Sequence, residues 1–233
     1  RYLMDDGEFT AHTVLPYNTS ETQLNGGLSG SHGMRATYFS VLPYKQIDND
    51  ILFFGDGEVK TGEWNELLGN DHIKNRGSGW GYGGLSLENA RKIANAALTQ
   101  VQNVEKEEAR AVLIYAGTSD VLGSDDLETV KLNYIRLVEE IMSNCPSARI
   151  YTIGLHPTNN ATINTTRIAP FNAILSEWGP DQVKYIDCYT PFLDGDVANT
   201  TYIKNTNYLY GLGYVKMANI IKDRLLSDMP DLT

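Results

Sequence analysis

Residues 51–64 read ILFFGDGEVKTGEW. Ile51 to Phe54 are an unbroken apolar run, and Gly55-Asp56-Gly57-Glu58 interrupts it before a helix-like segment. A run this short, closed by glycine, predicts a strand buried on both faces. Backbone N–H groups and side chains converge where such a strand turns into a helix start. This turn carries two acids and no nucleophile. It therefore reads as a phosphate cradle, an acidic site, or a nucleophile turn that lacks its nucleophile.

The same rhythm recurs outward from this point. Ala111–Ala116, Arg149–Leu155 and Val183–Cys188 are further apolar runs, and His72–Asn75 is a weaker fifth. Helical patterns lie between them. Leu87, Ala90, Ala94, Ala97, Leu98 and Val101 share one face, as do Leu127, Val130, Tyr134, Leu137, Val138 and Ile141 in the next. A shorter helix is predicted from Ile168 to Trp178, and a last one carries Tyr214, Met217, Ala218, Ile221 and Leu225. Ser124, Asp125 and Asp126 supply a helix start, because short side-chain oxygens accept from open N–H groups and acids suit the positive dipole end.

Apolar strands alternating with amphipathic helices predict an α/β domain, three-layer α/β/α around a central, mostly parallel five-stranded sheet. Ligands in such sheets sit beyond the carboxyl ends of the strands. The turns to inspect are therefore residues 55–58, 75–82, 117–120, 156–160 and the loop before the last helix. Residues 1–44 show no sustained period and read as an N-terminal arm, with a short helix over 34–45. Residues 45–233 read as one domain.

The 233 residues are 42% apolar, with 29 acidic against 19 basic side chains and a formal charge of −10. No dense Lys/Arg run can track phosphates, so a nucleic-acid partner is not expected. No apolar stretch approaches the roughly 18 residues that a transmembrane segment needs. Cys145 and Cys188 make no disulfide framework and read as buried thiols. The chain opens on Arg1 rather than Met, so removal of a signal peptide or leader is expected, and with it an exported protein: periplasmic, cell-surface or secreted. Sequons at Asn18, Asn160, Asn164 and Asn199 are expected by chance in a chain rich in Asn and Thr.

Several chemistries can be weighed on the residues alone. The glycine-dense run Gly77 to Gly84 has no lysine–serine pair of the kind a phosphate loop carries. His12, His32, His72 and His156 have no ligand spacing, so neither metal nor cofactor is expected. Asp56 and Glu58 are close enough to hold a hard cation, but a capping Asp and a solvated Glu is the simpler reading. With Asp120, they also leave open acid–base work by paired carboxylates.

The order of the turns resembles a family. FFGDGE (53–58), KNRGSGWG (74–81), AGTSD (116–120) and NTNYLYGLGY (205–214) follow the four blocks of the SGNH hydrolases, or GDSL esterases/lipases. GEWNELL (62–68) and YIDCYTPFLD (185–194) are similar to family segments too. The likeness is to bacterial members related to platelet-activating-factor acetylhydrolase, and it implies their flavodoxin-like fold. The family's chemistry needs a serine activated by histidine and aspartate, and pre-placed donors for the oxyanion. By resemblance the nucleophile's position falls on Gly57, the base on Tyr208 and the orienting acid on Asn205. Of the oxyanion donors, Gly79 is kept and the asparagine becomes Ser119. Glycine offers no nucleophile, and a phenol titrating near about pH 10 is a poor base.

The resemblance thus implies a catalytically degenerate hydrolase. Its cleft, bordered by Asp56, Glu58, Trp80, Tyr82 and Tyr210, would hold a carbohydrate or acyl ligand, or the domain would serve a protein partner. The other reading is an active carboxylic-ester hydrolase, such as a carbohydrate O-acetylesterase, with relocated residues. Ser78 or Ser86 would then be the nucleophile and His156 the base.

Overall fold

The computed structural model describes residues 3–5, 8–10, 50–79, 85–98, 109–204 and 207–232. Five strands form the central sheet: β1 (Ile51–Gly55), β2 (Ile73–Gly77), β3 (Ala111–Tyr115), β4 (Arg149–Ile153) and β5 (Val183–Ile186). Their order is β2-β1-β3-β4-β5, and every pairing is parallel. All five residues of β1 and of β3 are buried, as continuous apolar runs at the centre of a covered sheet require. The helices are α1 (Gly57–Thr61), α2 (Trp64–Leu68), α3 (Leu87–Leu98), α4 (Thr118–Leu122), α5 (Leu127–Asn144), α6 (Ala161–Ile163), α7 (Ala169–Glu177) and α8 (Gly211–Asp228).

Helices cover both faces. On one, α3 packs on α5 and α5 on α7; on the other, α8 packs on α2 and β5. The expected three-layer architecture is what the chain forms. Asp126 caps α5 by accepting from the Thr129 N–H at 2.9 Å, at the start that Ser124, Asp125 and Asp126 predicted. The weak run near residue 73 is the edge strand β2. Its Lys74 and Asn75 are only half-buried, which dilutes the apolar signal. The helix expected from Ile168 begins earlier, at Ala161, and continues through a π-helical turn, Asn164–Ile168. Thr and Asn fill that stretch, so no apolar period announces it. The helix expected over 34–45 and the Val101 end of α3's pattern lie outside the described residues. Cys145 and Cys188 are both buried and form no disulfide. No helix among the described residues is long and apolar enough to cross a membrane.

Two ring contacts seat α2 and α8. Trp64 lies 4.6 Å from Phe53 between ring centroids, and Tyr214 meets Trp64 edge-on at 5.9 Å. The Trp64 indole N–H donates to the Val59 carbonyl at 2.8 Å, which satisfies its one polar atom inside the core.

Glycines end β1 and β2 for a steric reason. A Cβ on Gly55 would sit 2.1 Å from the Tyr115 carbonyl oxygen, and one on Gly77 would sit 2.3 Å from the Lys60 backbone nitrogen. The short helix α1 can therefore rest directly on the strand ends. Gly77→Ala forces backbone apart and is expected to cost about 1–3 kcal/mol in denaturant unfolding. Tyr134→Phe should behave differently. The Tyr134 hydroxyl is buried with no hydrogen-bond partner, so its removal is expected to leave stability unchanged or raised by up to about 1 kcal/mol.

Candidate functional site

In this strand order the winding reverses between β1 and β3, and open α/β sheets bind ligands in the crevice beyond that point. The turn after β1 and the turn after β3 meet there. The Asp56 N–H donates to the Tyr115 carbonyl at 3.1 Å, and the Thr118 hydroxyl donates to the Asp56 carboxylate. Gly117 has φ +103°, a left-handed geometry that favours glycine and aims α4 back over the sheet.

Asp56 occupies the N-cap position of α1, but it is fully buried, and so is Glu58 beside it. The expectation of a solvated glutamate fails because Gly55 and Gly77 let α1 sink onto the strand ends. Burial pushes the Asp56 carboxyl up to about 7, against the opposing pull of the Thr118 hydroxyl. Burial, and then the neighbouring Asp56 charge, push Glu58 up to about 9. One oxygen of each, Asp56 Oδ1 and Glu58 Oε2, has no hydrogen-bond partner. Both acids thus lie beneath the crevice rather than on its wall.

The second block is a clamp on α1. The Asn75 side-chain amide donates to the Val59 carbonyl at 2.7 Å and to the Gly62 carbonyl at 3.0 Å, while its oxygen accepts from the Gly77 N–H at 2.8 Å. It satisfies carbonyls that the end of a short helix leaves open. Sequence reasoning missed this role, although an asparagine in the middle of an edge strand was the available signal. Gly79 is buried with φ +115°, and its carbonyl accepts from the Lys60 ammonium at 3.1 Å. Trp80 and Tyr82 lie outside the described residues.

In the third block Ser119 is half-buried on α4. The Asp120 carboxylate accepts from the Leu87 N–H at 2.9 Å, so this acid caps the start of α3 and belongs to a different contact from the Asp56–Glu58 pair. The Ser86 hydroxyl is engaged at the same helix start, accepting from the Asn89 N–H at 3.3 Å.

The fourth block is a short hairpin leading into α8. Ile203 and Leu209 pair antiparallel, and both are buried. Tyr208 and Tyr210 flank Leu209 and are 40% and 42% exposed, so the alternation of an extended segment turns both rings outward. The Lys204 ammonium lies 5.4 Å from the centre of the Tyr210 ring. Asn205 lies outside the described residues. Gly213 is needed for close approach, since a Cβ there would stand 2.4 Å from the Tyr202 carbonyl oxygen. The next residue, Tyr214, reaches the first block: the charges of Glu58 and Asp56, after burial itself, raise its phenol above the ordinary range.

His156, on the turn after β4, is buried between rings, 6.2 Å from Tyr115 and 6.4 Å from Phe192 by centroid. Its Nδ1–H donates to the Pro157 carbonyl at 3.0 Å. Burial pushes its imidazole down to about 4. Because the folded value lies below the unfolded one, this histidine's contribution is complete above about pH 6.5 and is lost as pH falls towards 4. Urea unfolding of the native chain should therefore lose about 2–3 kcal/mol from this residue between neutral pH and pH ~4.5, and His156→Gln should remove that part of the slope.

A family model described as GDSL-like lipase/acylhydrolase matches residues 57–208. No curated protein matches the sequence. Among solved structures, a Streptococcus pneumoniae protein provisionally described as a platelet activating factor aligns with a TM-score of 0.67 at 18% identity, over 84% of this chain and 92% of that one. A GDSL-like lipase from Bacteroides thetaiotaomicron aligns at 0.65 and 17% identity, over 85% and 98%. A carbohydrate esterase family 3 structure from Talaromyces cellulolyticus aligns at 0.55 and 14% identity, over 80% and 100%. At these identities the structures establish the shared fold, as the block order led us to expect. The family match itself runs from the turn after β1 to the hairpin before α8, spanning the frame that carries the site, and on it the chain belongs to the GDSL-like lipase/acylhydrolase family, the SGNH hydrolases.

Proposed function

We propose that this chain is a catalytically silent member of its family, and that the crevice beyond β1 and β3 binds a carbohydrate without turning it over. One observation carries the reading. Among the described residues, the histidine on the carboxyl-end turns is His156, which is buried, held near the neutral form and committed through Nδ1 to Pro157. The other described histidine, His72, sits at the amino ends of the strands, 3.0 Å from Asp50. A serine hydroxyl needs an accessible base within hydrogen-bond reach. Gly57 offers no side chain, Tyr208 offers a phenol, and the Ser86 hydroxyl is occupied as a helix cap.

Carbohydrate is the ligand we favour because Tyr208 and Tyr210, on the segment leading into α8, present two outward rings, one of them under the Lys204 ammonium. Flat, rigid, amphipathic rings bury area at little entropic cost. The carbohydrate esterase among the structural neighbours supports this ligand class. An exported location suits such a ligand and forms part of the proposal.

Restoration of the triad tests the reading. Gly57 is the first residue of α1 and has no positive φ, so its backbone accommodates a serine. The native chain is expected to hydrolyse p-nitrophenyl acetate no faster than buffer. Gly57→Ser with Asn205→Asp and Tyr208→His should bring turnover, because a complete triad adds orders of magnitude over the oxyanion donors alone. Native turnover abolished by one crevice substitution would instead establish the active ester hydrolase. On a glycan array, Tyr210→Ala should weaken the retained ligand by about tenfold.

A further inference from the structure

The segment leading into α8 is held in one shape by its own hydrogen bonds. Ile203 and Leu209 pair antiparallel and are buried. The Lys204 N–H donates to the Tyr208 carbonyl at 2.7 Å, and the Asn207 N–H closes the turn on the Lys204 carbonyl at 2.8 Å. Asn207 has φ +66°, the one positive φ outside glycine among the described residues, and asparagine tolerates that geometry better than most side chains. Asn159, on the turn after β4, reaches across to the same turn. Its N–H donates to the Asn207 side-chain oxygen at 3.0 Å, and its side-chain amide donates to the Lys204 carbonyl at 2.8 Å. The Tyr210 N–H donates to the Tyr202 carbonyl at 2.8 Å, and the Tyr210 carbonyl accepts from the Gly213 N–H at 2.8 Å. The backbone carrying Lys204, Tyr208 and Tyr210 is therefore tied to the carboxyl-end turn of β4 on one side and to α8 on the other.

This platform presents two rings and a cation. Tyr208, Tyr210 and Lys204 are all exposed. At 5.4 Å from the Tyr210 ring centre, the Lys204 ammonium is within the range at which a ring's negative face attracts a cation. Lys74, Lys92 and Lys131 pair with Asp50, Glu88 and Glu128, whereas Lys204 forms no ion pair among the described residues. An ammonium has three donors, so it can meet a ligand anion without leaving the ring. The chain around it also withholds acids. Residues 197–222 contain Lys204, Lys216 and Lys222 and no Asp or Glu, although acids fill 29 of the 233 positions. Lys216 donates to the Pro191 carbonyl and Lys222 lies farther along α8, which leaves Lys204 as the cation at the two rings.

We propose that the carbohydrate this protein binds is an acidic one, whose anionic group pairs with Lys204 while a sugar face rests on Tyr208 or Tyr210. The proposal rests on the carbohydrate reading above and names the class of ligand. A neutral glycan uses the rings and leaves the ammonium to water. An anionic one replaces that water with a charge-assisted hydrogen bond, on a backbone that needs no further ordering. The chain's overall charge of −10 does not forbid this contact, because physiological salt screens charges farther apart than about 8 Å.

The test is a glycan array read with the full chain at physiological ionic strength. It carries oligomers of alginate, hyaluronan and polygalacturonate beside their neutral, carboxyl-reduced counterparts, and sulfated galactan beside unsulfated galactan. The native chain should retain at least one acidic oligomer about tenfold more tightly than its neutral counterpart. The carboxyl and sulfate arms identify the anion. Lys204→Gln should abolish the preference and leave both forms bound alike, and Lys204→Arg should keep it. Lys204 is exposed, so Lys204→Gln should leave Tm unchanged and its effect reads contact rather than folding. Acidic and neutral forms held equally by the native chain, or a preference that survives in Lys204→Gln, overturn the acidic ligand; a loss of retention in Tyr210→Ala then leaves the carbohydrate reading standing. No retention of any glycan, acidic or neutral, overturns both.

Discussion

The hydrogen bond from Thr118 to the buried carboxylate of Asp56 joins the turn after β1 to the turn after β3 at the point where the sheet's winding reverses. Much of the remaining structure exists to make that contact possible. β1 and β2 end in glycines so that α1 can rest on the strand ends. Asn75 clamps the far end of α1, and Gly117 takes a left-handed backbone to turn α4 towards Asp56. Gly213 lets the hairpin lie against α8, and the next residue, Tyr214, completes the enclosure. The four sequence blocks are thus the four pieces of a packing problem as well as the four pieces of an active-site frame.

On the proposed reading of Gly57, Asn205 and Tyr208 as the triad-equivalent positions, this accounts for a hydrolase frame that persists without its triad. In the proposed reading, the glycines and the asparagine are retained because steric contacts and buried hydrogen bonds depend on them, whether or not an ester is cleaved. A nucleophile has no such role. Gly57 does not need glycine for its backbone, since it sits in an ordinary helical first turn. Glycine there even weakens a helix relative to alanine by about 1 kcal/mol. The identity of this residue is therefore informative about chemistry in a way that Gly55 and Gly77 are not.

The buried pair beside Gly57 illustrates a second consequence. An acid that would be harmless on a loop becomes a strongly perturbed group once a short helix covers it. Asp56 and Glu58 are one residue apart from Gly57 on either side, so their environment was decided by how closely α1 could approach the sheet. His156 shows the converse. It lies on a carboxyl-end turn, where a base would be useful, yet its ring is enclosed by Tyr115 and Phe192 and spends its Nδ1–H on a backbone carbonyl.

The sequence by itself determined the fold. Apolar runs and amphipathic periods are local signals, and burial of both faces of β1 and β3 follows from them. The order of the four blocks likewise named the family. Edge strand β2 and the Thr- and Asn-rich start at Ala161 were faint because half-exposed or side-chain-capped segments need no apolar repeat. Only the tertiary structure decided which polar residues face the crevice, which lie under it and which serve as caps. Asp56, Glu58 and Asp120 look alike as acids on carboxyl-end turns. The first two are sealed beneath α1, and the third holds the start of α3. The difference arises because burial and hydrogen-bond partners are set by contacts between residues far apart in the chain, such as Thr118 with Asp56 and Leu87 with Asp120.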